Sequence, residues 1–128
     1  ELKLENSKTY ESFQIAVKTN DQKYRIESLA GFVFYKNNIN ECYNEIDNIS
    51  ESIKNLFEEI SDSGIQTVIH GYDKSGESTV TGKTLTDKAG NVVVIDCYDW
   101  SDKFEWWDQL RITIATKYYA NYKKKFLN

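Results

Sequence analysis

Between residues 39 and 60 the apolar side chains recur at spacings of three and four: Ile39, Cys42, Ile46, Ile49, Ile53, Leu56 and Ile60. That period places all of them on one stripe of an α-helix. Asn38 is a suitable N-cap, and Glu41 three residues on completes a capping box. Gly64 follows as the terminator, since glycine accepts the left-handed backbone of a helix end. A stripe of this length in a chain that also carries strand patterns predicts a helix packed on a sheet rather than a coiled coil.

Elsewhere the period is two. In residues 12–18, SFQIAVK, the side chains of Phe13, Ile15 and Val17 share one face of a half-buried strand. Asn20-Asp21 supplies a turn, and residues 23–29 read as the return strand. The run GFVFY at 31–35 extends it or forms a strand of its own. After the helix, residues 65–72, 77–85, 91–98 and 110–116 read as strands, with turn chemistry at Asp73–Gly76 and Asp87–Gly90. The end, KYYANYKKKFL, sets Tyr118, Tyr122 and Phe126 on one face of a short C-terminal helix. The expected fold is therefore α+β, one domain over residues 1–128. An antiparallel sheet of about five or six strands, in the order ββαββββα, packs against one long helix at about 39–60.

The same periodicities place both cysteines. Cys42 lies on the apolar stripe of the helix. In the strand at 91–98, Val93, Ile95 and Cys97 share a face, while Val92, Val94, Asp96 and Tyr98 share the other. The face without the aspartate is the one expected to meet the helix, so the two thiols point at one core. A Cys42–Cys97 bridge implies an oxidising compartment, periplasmic or secreted. The alternative is two free buried thiols. A third reading pairs Cys97 with His70, the only histidine, as a nucleophile and its base, but no local cysteine-protease signature accompanies them.

Composition narrows the classes. The chain has 128 residues, 14% of them aromatic, with no proline and no methionine. It starts ELKLENSK, as a processed or trimmed chain would. A formal net charge of −4 argues against a nucleic-acid partner. No apolar run is long enough to span a bilayer, so the chain is expected not to be transmembrane. Its richness in Lys, Asn, Ile and Tyr suggests an AT-rich, bacterial genome. No phosphate loop, dinucleotide fingerprint or nucleophile elbow is present, and no cofactor is expected. Lys117 and Lys123–Lys125 read as complements to the dipole of the C-terminal helix.

The segment with the most chemistry is 95–108, IDCYDWSDKFEWWD. It holds every tryptophan and a row of acids at Asp96, Asp99, Asp102, Glu105 and Asp108. Neither it nor the turns DKSGES and DKAGN has the ligand pattern of a calcium loop, and one histidine with two distant cysteines makes a poor zinc set. Of the adjacent Trp106 and Trp107, an extended chain points one into the core and the other outward. Exposed tryptophan among acids suits a basic protein surface or a saccharide. The expected binding residues are Trp100, Asp102, Glu105, Trp106, Trp107 and Asp108.

A long helix followed by an antiparallel meander is similar to the cystatin-like arrangement. The inhibitory Q-x-V-x-G hairpin of cystatins has its nearest counterpart in Gln66–Gly71, with one residue inserted and in a strand, and their Pro-Trp pair has none. The resemblance implies at most that a small inhibitor is among the functions to weigh. The expectation is a non-enzymatic exported domain that binds another protein with a basic surface, as an effector, inhibitor or immunity protein does. A carbohydrate-binding or weakly glycan-hydrolysing domain using residues 96–108 is the alternative.

Overall fold

The computed structural model describes residues 10–36 and 38–126. An antiparallel sheet of seven strands carries two helices: β1 (Ser12–Val17), β2 (Ile26–Tyr35), α1 (Ile39–Lys54), β3 (Ile60–Asp62), β4 (Gln66–Ile69), β5 (Thr79–Asp87), β6 (Val92–Asp99), β7 (Asp108–Ala115) and α2 (Lys117–Phe126). The sheet order is β1-β2-β7-β6-β5-β3, and β4 also pairs with β5. The fold is α+β, as the periodicities indicate. No helix among the described residues is long and apolar enough to cross a membrane.

Alternation along the strands decides which helix each face meets. On one face Val93, Ile95 and Cys97 of β6, Leu110 and Ile112 of β7 and Leu85 of β5 close against Cys42 and Ile46 of α1. Ile46, Leu85 and Ile95 are fully buried, each worth about 1.5–3 kcal/mol relative to exposure. Cys42 and Cys97 sit among them as a disulfide, with Cα atoms 5.9 Å apart and both side chains inaccessible. The opposite face, with Val94, Asp96 and Tyr98, lies under α2.

The helix is shorter than its stripe. It ends at Lys54 with Asn55 as C-cap; Leu56 is 79% exposed, and Ile60 leaves the helical period to pair with Asp87 as the first residue of β3. Gly64, at φ +73°, turns the chain between β3 and β4 instead of ending the helix. Asn38 makes no side-chain bond to the helix backbone; its amide donates to the Glu41 carboxylate at 2.7 Å. The helix end is tied down by charges. Lys54 at its last turn reaches Asp62 at 2.5 Å, and the buried Lys83 of β5 bridges Asp62 and Asp47, each at 3.3 Å. This clamp fastens the helix end to the sheet edge. The Lys54 ammonium first, then the Gly64 N–H, hold the Asp62 carboxyl down at about 2.

The turn after β4 is organised by Asp73. Its buried carboxylate accepts the N–H and hydroxyl of both Ser75 and Ser78, at 2.6–2.9 Å. These bonds, led by the serine hydroxyls, keep it far below the usual carboxylate range.

Candidate functional site: an aromatic and acidic rim

At the end of the sheet where α1 begins, β6 and β7 part after Asp99 and rejoin at Asp108. The loop between them is tied at its base and side. Asp108 accepts the Trp100 N–H at 2.9 Å, closing the neck. Ser78 accepts the Ser101 N–H at 2.9 Å, and Glu77 takes the Ser101 hydroxyl at 2.8 Å and Lys103 at 2.9 Å. The loop thus rests on the turn that Asp73 organises.

Six rings then pack in sequence across the rim. Trp100 is their centre, 4.6 Å from His70, 4.8 Å from Trp106 and 6.0 Å from both Tyr98 and Phe104. Phe104 stacks on Trp106 at 4.7 Å with planes 13° apart, and Tyr72 lies 5.5 Å from Trp106. Trp107 turns away, edge-on to Phe34 at 6.5 Å, with Lys36 Nζ 5.7 Å from its ring. Both Trp106 and Trp107 remain about half exposed, at 47% and 51%. The expectation that one of them enters the core is therefore corrected. Residues 105–107 belong to no strand, so alternation has no hold there, and the packed ring is Trp100.

The acids divide by face. Asp96 points under α2, away from the others. Asp99 and Asp108 line a hollow of about 630 Å³ beside Ile39, together with Asp102, Glu105 and the two outer tryptophans. A neighbouring hollow of about 640 Å³ uses the same tryptophans with Glu11, Phe34 and Gln109. The indoles are thus the wall between two open depressions. Partial burial raises the Asp99 carboxyl, with Asp102 adding to it. Burial likewise raises Asp108, the Trp100 N–H opposing, and Asp99 and Asp102 reinforcing. Among the described residues no ion pair neutralises Asp99, Asp102, Glu105 or Asp108.

All six residues expected to bind a partner, Trp100, Asp102, Glu105, Trp106, Trp107 and Asp108, therefore lie in this loop or at its neck. Trp100 and Asp108 are half-buried and shape it, while the other four face outward. Sequence reasoning missed Tyr72, which is 64% exposed and extends the rim from the β4 side. His70 also belongs here, and not with Cys97. The pleat sends Cys97 to the α1 face and into the disulfide, leaving His70 against Tyr98 and Trp100. Its Nδ1 accepts the Tyr72 N–H at 3.1 Å. Among the described residues no group of three or more His, Cys, Asp or Glu converges as a metal site would. The chain matches no protein-family model, no curated protein and no solved structure.

Proposed function

We propose that the protein is a non-enzymatic binding domain that docks a basic segment of another protein on the aromatic and acidic rim. The observation that carries this reading is the unneutralised acid group of Asp99, Asp102, Glu105 and Asp108 beside half-exposed indoles. A lysine or arginine entering that hollow gains ion pairing and a ring face at once. Lys36 over Trp107 illustrates the ring contact within the chain itself. The disulfide supports an exported setting, periplasmic or secreted, where effectors, inhibitors and immunity proteins act.

The test is tryptophan-fluorescence titration with a Lys/Arg-rich peptide, an acidic peptide of equal length and a set of oligosaccharides. The basic peptide binds, its affinity falls steeply with salt, and Trp106→Ala or Glu105→Gln weakens it by roughly tenfold. Acidification weakens it too, because Asp99 and Asp108 take up protons at higher pH than ordinary aspartates. Equal binding of the acidic peptide, or indifference to both substitutions, overturns the reading. Binding confined to oligosaccharides replaces it with carbohydrate recognition on the same rings.

A further inference from the structure

A further hollow, of about 550 Å³, lies on the far face of the sheet beneath α2. It shares only Tyr98 with the rim and is opposite in charge. Arg111 of β7 and Lys117, Lys123 and Lys124 of α2 line it against one acid, Asp96, in a chain whose formal net charge is −4.

Two groups in it are held in place without being satisfied. The Arg111 guanidinium lies over the Phe32 ring, 5.3 Å from its centre, and one terminal nitrogen donates to the Gln14 amide oxygen at 3.1 Å. Its Nε is buried and has no hydrogen-bond partner. Asp96 stands directly opposite Arg111 in the β6–β7 ladder, yet no ion pair joins them and no hydrogen bond is made to its carboxylate among the described residues. The space beside that carboxylate is kept by Gly82, its partner on β5, where any side chain would collide with Asp96. A buried donor left unpaired and a half-buried carboxylate left unbridged are both costly. Both residues line the same cavity, and Lys123 lines its α2 side, where burial lowers its basicity.

We propose that this hollow binds a small hydroxylated carboxylate. The ligand's carboxylate takes the exposed part of the Arg111 guanidinium and the Lys123 ammonium, and its hydroxyl donates to Asp96. A planar two-oxygen acid matches the edge of a guanidinium. The neighbouring Asp96 repels a bare anion and accepts one that brings a hydrogen to it. Val94 and Tyr119 supply apolar wall for the carbon stem, and the volume is in the range of small-molecule sites.

The experiment is thermal unfolding of the whole protein with lactate, malate and gluconate as probes, at concentrations up to roughly 10 mM. Sorbitol serves as the neutral polyol and inorganic phosphate as the competing anion. At least one of the three carboxylates raises the melting temperature saturably, while sorbitol and phosphate do not. Arg111→Met and Lys123→Gln each weaken that response by roughly tenfold or more. Lys123→Gln keeps the length of the side chain and most of its packing, so that variant decides the matter if Arg111→Met fails to fold. No shift with any of the three, an equal shift with phosphate or sorbitol, or a response unchanged in Lys123→Gln overturns the proposal.

Discussion

Gly82 and Asp96 face each other across the β5–β6 ladder, and the Asp96 carboxylate fills the space that a side chain at residue 82 would need. The Ile95 carbonyl closes the same space from the backbone side. One residue without a side chain therefore permits one half-buried acid, which lines the hollow under α2.

Gly82→Ala is expected to destabilise the fold by roughly 1–3 kcal/mol, as overpacking does. Urea unfolding measures it. Because the Ile95 carbonyl stays in place, removing the carboxylate in Gly82→Ala/Asp96→Ala does not restore stability. Full rescue in the double variant would show that Asp96 alone sets the conflict.

Burial raises the Asp96 carboxyl from 3.8 to about 6, with Arg111 and then Lys123 opposing. The folded state therefore holds this proton more tightly than the unfolded chain does. The resulting stabilisation is complete below about pH 4 and is lost as pH rises through 6. Asp96→Asn removes the ionisation, so at pH 7 the variant is expected to be more stable by on the order of 2 kcal/mol. Its stability curve should lack the decline between those pH values. A variant less stable than the parent at pH 7 contradicts this.

Asp62 behaves in the opposite sense. Lys54, the Gly64 N–H and Lys83 bring its carboxyl from 3.8 to about 2. Its stabilisation is present above pH 4 and disappears as pH falls through 2. Asp62→Asn should flatten this acid limb and detach the end of α1, visible as faster amide exchange near Lys54. Unchanged exchange there would show that the clamp does not hold the helix end.

Reduction of Cys42–Cys97 opens a loop spanning a sequence separation of 55, for which the chain-entropy model gives about 4 kcal/mol. Since both side chains are inaccessible, neither cysteine should react with an alkylating reagent until reductant and denaturant act together. Cys42→Ser/Cys97→Ser should unfold at markedly lower urea concentration. Alkylation by denaturant alone would mean that the bridge is absent from the protein in solution.

The fold class and the disulfide were legible because each rests on a local period. Helical spacing aims Cys42 at one stripe, strand alternation aims Cys97 at one face, and both count from their own neighbours. The helix end was not legible, since Leu56 and Ile60 keep the apolar period past it: Leu56 is exposed, and Ile60 packs on the core from β3 instead. At that boundary Lys54, Lys83 and Asp62 meet across elements distant in sequence.

The same distinction holds for the candidate sites. The tryptophans and acids of 95–108 marked a rim by composition alone. Strand alternation already set Asp96 on the face away from α1, but that Asp99 and Asp108 line the hollow beside Ile39 did not follow from the row. Which indole packs was decided by the loop, where no strand alternation operates and Trp100 is enclosed by His70, Phe104 and Trp106. The cavity under α2 had no signature at all, because Gly82, Asp96 and Arg111 become neighbours only when three strands pair in register. Periodicity along the chain determines what each element buries, and strand register and helix placement decide which unburied groups are brought face to face.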